Sequence, residues 1–244
     1  MRTPHLFYPD LCAKHFMAFS RYSSQPPIVL NLIIINTLVF LAQTMTSGGL
    51  EPNTAADLFA LHHPQSTYFN PYQLVTHLFM HGSFFHLLFN MFALWMFGSV
   101  LERNWGPKRF LIFYFVCGLA AGIAQIGNYL WEFRDVPFGQ LSTESYDQVQ
   151  MILQRYYTVG ASGAVMGLLA AFGYLFPNTE MMIIPIPFPV KAKWAILGMI
   201  ALDVFGGVVN TPGDNVAHFA HLGGAVTGFL LVWYWNKSRR NTFY

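Results

Sequence analysis

The chain has 244 residues, of which 54% are hydrophobic and 10% charged, where a soluble domain carries about 25% charged residues. So few charges cannot cover a water-facing surface of this size, which excludes an ordinary soluble enzyme. A net charge of +2 says little by itself about partners; no nucleic-acid partner is expected.

Residues 1–27 read as a cytoplasmic tail. Asp10, Lys14, His15 and Arg21 interrupt it, so no cleavable signal peptide is expected, and the first apolar run reads as an uncleaved signal anchor. A membrane helix needs roughly 20 mostly apolar residues, and six segments qualify as candidates, at about 28–45, 83–101, 110–130, 161–176, 194–209 and 216–235. The fourth is short and rich in Gly and Ala. Between spans four and five, Pro185, Pro187 and Pro189 force a turn. Cys12 and Cys117 lie in the tail and in an apolar run, which is no disulfide framework.

The cations set the orientation. Arg2, Lys14, Arg21, Arg103, Lys108, Arg109, Lys191, Lys193, Lys237, Arg239 and Arg240 fall on one side, and only Arg134 and Arg155 on the other. The first side is the cytoplasm, so both termini lie inside and the number of spans is even. Residues 28–236 form the membrane domain and 237–244 a short cytoplasmic tail. Outside lie a long loop at 46–72, a second at 131–156 and a tight turn at 210–215. Glu102 and Arg103 read as an interfacial anchor at the inner end of span two. The fold class is all-α, a polytopic six-helix membrane bundle.

Ionisable and polar groups inside a bilayer are costly and are functional candidates by default. Here they are His77, His81, His86, Asn90, Ser162, Asp203, His218 and His221. Most fall near the outer ends of spans two, four and six. Ser162 opens span four between Gly160 and Gly163, where unpaired helix N–H groups can face a developing oxyanion. On span six, His221, Gly224 and Gly228 share one face. Gly163 and Gly167 offer a matching small face on span four, so the two helices can approach closely enough for a serine–histidine hydrogen bond. His86 and Asn90, four residues apart, share a face of span two. His218 competes with His221 as base, and the glycine spacing favours His221. His77 and His81 have the spacing of helical metal ligands, but no Glu follows His77 and no carboxylate completes a site, so no metal is expected. Asp203 reads as structural, and no carboxylate is evident beside His221.

Taken together, these residues resemble the rhomboid family of intramembrane proteases. The resemblance rests on His81, on His86-Leu87-Leu88-Phe89-Asn90, and on Gly98, Glu102 and Gly106 at intervals of four. It continues through Gly160-Ala161-Ser162-Gly163 and Ala220-His221-Leu222-Gly223-Gly224 with Gly228, and covers about residues 70–236. It implies a nucleophile at Ser162 and a general base at His221, without a third carboxylate. The oxyanion hole would comprise His86, Asn90 and the Ser162 N–H. His81, His218, Gly160, Gly163 and Gly224 would support the site. No cofactor is implied. The substrates would be single-span membrane proteins cut near the outer bilayer face, with spans two and five and the 210–215 turn gating entry. The chain departs from the family in lacking a Trp-Arg pair in the first outer loop and in its Glu102-Arg103-Asn104 order. The expected location is a bacterial cytoplasmic membrane. The rival reading is a proteolytically inactive relative that binds or escorts membrane proteins, and such relatives usually lack the serine or histidine present here.

Overall fold

The computed structural model describes residues 26–46, 54–182, 188–209 and 216–240. The expected N-terminal tail before residue 26, the prolines at 185 and 187, the 210–215 turn and the last four residues lie outside the described residues. All six apolar segments are helical. In chain order the helices are α1 (Pro27–Thr46), α2 (Thr54–Phe59), α3 (Gln73–Thr76), α4 (Phe84–Trp105), α5 (Pro107–Glu132), α6 (Thr143–Arg155), α7 (Ser162–Leu175), α8 (Ala192–Val209) and α9 (His218–Arg240). Two short antiparallel pairs accompany them: β1 (Leu61–His62) with β2 (Tyr157–Thr158), and β3 (Glu180–Met181) with β4 (Val190–Lys191).

Among the described residues, four helices are long and apolar enough to cross a membrane: α1, α4, α5 and α8. Helix α7 has only 14 residues. Helix α9 has 23, but His218, His221 and its glycines dilute its apolar content. The exterior matches a lipid environment: Phe84, Phe85, Phe89, Leu202, Phe205 and Val208 are all exposed.

Helix α7 is the axis of the bundle. From Gly163 to Phe172 every residue is buried, which suits a helix enclosed by others rather than one facing lipid. Its small residues meet small residues on α5 and α9. A Cβ built on Gly224 would stand 1.9 Å from the Gly163 carbonyl oxygen, and one on Gly228 2.4 Å from that of Gly167. On the other flank, a Cβ on Gly163 would meet that of Ala121 at 2.3 Å. Backbone therefore packs on backbone along the α7–α9 seam, as expected where van der Waals contact holds membrane helices together.

At one end of the bundle, Trp105, Phe113 and Trp235 form an aromatic cluster, with the Arg109 guanidinium 4.5 Å from the Trp235 ring centre. The end of α4, the start of α5 and the end of α9 meet there, and Arg–Trp pairs of this kind suit a membrane interface. The expected anchoring role of Glu102 is corrected: its side chain is buried, only 2% exposed. Its carboxylate accepts the backbone N–H groups of Ile28 at 3.0 Å and Val29 at 2.8 Å. Those are orphan donors of the first turn of α1, so Glu102 caps one helix from another.

The two long loops expected outside carry more structure than expected. The 131–156 segment contains α6, whose N-cap Ser142 accepts the Ser145 N–H at 3.3 Å. Its buried residues are Gln150 and Leu153. Gln150 accepts the Thr67 N–H at 2.9 Å and donates to the Gln65 carbonyl at 2.8 Å, tying α6 to the first loop. In that loop the buried Gln73 donates to the carbonyls of Tyr68 at 2.8 Å and Leu58 at 3.2 Å.

Replacing Glu102 by Ala removes two charge-assisted bonds and should cost about 2–4 kcal/mol. The melting temperature in detergent should fall clearly for Glu102→Ala and stay near wild type for the exposed neighbour Arg103→Ala. Equal melting of all three proteins would refute the capping role.

Candidate active site

Strand β2 delivers the chain to Gly160, whose N–H donates to the His77 carbonyl at 2.9 Å. Gly160 has φ 123°, a backbone state that residues with a Cβ rarely adopt. A Cβ there would also strike the His86 ring at 2.8 Å, and it would lie 3.6 Å from Ser162 Oγ. Glycine at 160 thus makes the turn into α7 and leaves room for His86 beside Ser162. Two residues later α7 begins at Ser162.

On the facing helix, His221 Nε2 lies 2.8 Å from Ser162 Oγ. The Gly163–Gly224 contact, one residue past Ser162 and one turn past His221, sets that separation. His221 Nδ1 lies 2.9 Å from Asp203 Oδ1 on α8. The same oxygen lies 2.9 Å from His218 Nδ1. The carboxylate accepts, so each Nδ1 carries the hydrogen, and His221 Nε2 is left to accept from the serine. The side chains of His221, His218 and Asp203 are 17%, 16% and 13% exposed, so the group is shielded yet within reach of water.

The structure therefore corrects two sequence expectations. A carboxylate does stand beside His221, and Asp203 is no remote structural residue. The sequence held a usable signal: Asp203 is the one acidic residue in α8, and His218 and His221, three apart, share a face that needs a partner. His218 does not contact the serine in place of His221; it joins the network behind it.

His86, at the start of α4, accepts the Gly82 N–H on Nδ1 at 3.4 Å, which leaves its proton on Nε2, the edge near Gly160. Asn90 lies one turn further along α4, only 6% exposed, and its Nδ2 donor has no hydrogen-bond partner among the described residues. His81 is fully buried, with its ring centre 5.2 Å from that of His86. Gln43 holds the His81 backbone from α1, donating to its carbonyl at 2.9 Å and accepting its N–H at 3.3 Å. His77 sits in a 3-10 turn and its Nδ1 lies 2.7 Å from the Gln73 carbonyl. Its spacing from His81 is thus not that of one regular helix, and no group of three potential metal ligands occurs among the described residues. A polar cavity of about 180 Å³ opens beside His218, lined by residues including Gln125, Glu132, Arg155 and Tyr157.

This arrangement defines a helical membrane protein with a serine–histidine pair at the mouth of its central helix. A family model of the rhomboid domain matches residues 68–238, and the chain belongs to the rhomboid family of intramembrane proteases. Rhomboid protein 1, mitochondrial, of Saccharomyces cerevisiae is 31% identical over 160 residues, 66% of this chain and 40% of that protein. Rhomboid protease AarA of Providencia stuartii is 26% identical over 216 residues, 84% of this chain and 70% of that protein. Putative rhomboid protease YdcA of Bacillus subtilis is 31% identical over 160 residues, 66% of this chain and 65% of that protein. The match thus covers well under half of the yeast relative. Bacterial and mitochondrial proteins both appear among the relatives, so they give the expected bacterial cytoplasmic membrane no support; the chain is an integral membrane protein.

Outside the spans, burial pulls His77 down to about 4, and burial with the neighbouring His86 pulls His81 down to about 4. Burial likewise lowers His62 and His63. His77 and His81 are held neutral in the folded state, whereas the unfolded chain takes up the proton from about pH 6.5 downward. Their stability contribution is complete above that pH and is lost as pH falls towards about 4. The melting temperature should therefore drop across that window, and His77→Gln should flatten the drop. An equal pH slope for the two proteins would contradict it.

Proposed function

We propose that the chain is an intramembrane serine endopeptidase that cleaves single-span membrane proteins near the outer face of the bilayer. The 2.8 Å contact between Ser162 Oγ and His221 Nε2 carries the reading. In this reading α1, α4, α5, α7, α8 and α9 form the six-helix membrane bundle with both termini in the cytoplasm, as the cation asymmetry favours. Helix α7, at 14 residues, is about 21 Å long, against a hydrocarbon core of about 30 Å. With its far end at the inner boundary, Ser162 lies below the outer surface, where a substrate helix must unwind to reach it.

His221 accepts the Ser162 hydroxyl proton as Oγ attacks the scissile carbonyl carbon. The carbonyl π electrons move to oxygen, and that oxyanion takes hydrogen bonds from the Ser162 N–H, His86 Nε2–H and Asn90 Nδ2–H. The unpartnered amide of Asn90 and the proton placement on His86 support those roles. The intermediate collapses, the C–N bond breaks, and His221 hands its proton to the departing amine. Water, deprotonated by His221, then attacks the acyl carbon, the bond to Oγ breaks, and His221 returns the proton to Oγ. Every proton is moved by a side chain of this chain, without metal or cofactor.

The test is cleavage of a single-span reporter by purified protein, with a chelator control. Wild type should cut near the outer boundary and ignore the chelator, while Ser162→Ala and His221→Ala should be inactive. His86→Ala and Asn90→Ala should each lose about a hundredfold or more in kcat. Cleavage that survives Ser162→Ala would sink the proposal. A wild type inert towards several reporters would favour the membrane-protein binding reading.

A further inference from the structure

Asp203 is an acid in a lipid-exposed helix, and the steps above do not use it. Helix α8 is buried only at its inner end, through Ala192, Ala195 and Ile196. In its outer half Leu202, Phe205 and Val208 are 70%, 65% and 77% exposed. One face there meets α9, the face of Asp203, Gly206 and Gly207. A Cβ on Gly206 would come within 2.4 Å of the His218 ring, and one on Gly207 within 3.2 Å of the His218 Cβ. Small residues on α8 thus make room for His218, one of the two histidines its carboxylate binds.

We propose that Asp203 is a positioning residue: its Oδ1 holds His221 in the Nδ1–H form with Nε2 aimed at Ser162, so the pair is reactive only while α8 is docked on α9. This rests on the proteolytic reading above. Without the acceptor, either ring nitrogen of His221 can carry the proton, and the ring loses one of its two anchors. A hydrogen on Nε2 would block acceptance from the serine. His218 binds the same oxygen at 2.9 Å, so the carboxylate cannot swing away from His221 without breaking a second bond. The unit is a serine, a base and an orienting acid drawn from three helices, α7, α9 and α8.

The experiment is the rate at which a fluorophosphonate acylates Ser162 in the full-length protein in detergent, with reporter cleavage and thermal melting alongside. Asp203→Asn keeps the shape and removes the charge. It should slow acylation and kcat by about a hundredfold to ten-thousandfold, the range seen when an orienting acid is lost, with KM and melting temperature near wild type. Asp203→Glu restores a carboxylate and should recover at least about tenfold over Asp203→Asn. A helix clamp with no role in orientation would instead lower the melting temperature or raise KM while the acylation rate held. The assignment is overturned if folded Asp203→Asn reacts like wild type, or if Asp203→Glu gains nothing over it. Should Asp203→Asn fail to fold, a folded Asp203→Glu that loses labelling as completely as Ser162→Ala overturns it equally. If wild type itself is not labelled, or Ser162→Ala still is, the proteolytic reading fails first and is recognised as the failure by that control.

Discussion

The architecture depends on one close approach, the backbone of α7 against that of α9. No side chain fits where Gly224 faces the Gly163 carbonyl or where Gly228 faces that of Gly167. Two helices so placed have little freedom to slide, because each small residue is seated against the next helix's backbone. Side chains one residue or one turn away are carried into fixed relation. The 2.8 Å contact between Ser162 and His221 is a consequence of that seam rather than a separate device.

Around the seam, several polar side chains bond across elements. Glu102 on α4 caps α1. Gln43 on α1 fixes the His81 backbone. Gln150 ties α6 to the 54–72 segment, and Gln73 on α3 braces that segment. In a setting with little water to accept stray hydrogen bonds, a side chain that answers an orphan backbone group is worth more than one left to solvent. Gly160, just before α7, is itself held by its N–H bond to the His77 carbonyl.

Much of this was legible in the sequence, and the limits of legibility have physical causes. The six apolar blocks, the glycine faces and the pairing of Ser162 with His221 follow from spacing, because helical periodicity maps directly onto faces. Helix α6 is hard to read from sequence, because its polar surface looks like a loop beside apolar spans. Its signals are local: Ser142 as a cap, then apolar Leu153 beneath a polar face. Nothing in the segment of Glu102 shows that it faces the start of α1, more than 70 residues earlier. The same holds for Asp203. Its partners lie 15 and 18 residues on, in another helix, and periodicity says nothing about contacts between helices.

Asp203 also has a bearing on how the chain enters its membrane. An aspartate near the middle of a spanning segment disfavours insertion by about 2.5–3.5 kcal/mol, and the two histidines of α9 weigh against that helix too. Neither helix is at ease in lipid by itself. Together they are, since the acid and both imidazoles satisfy one another across the interface. The bond between them thus ties the burial of the acid to the presence of α9, and neither helix is settled in lipid without the other.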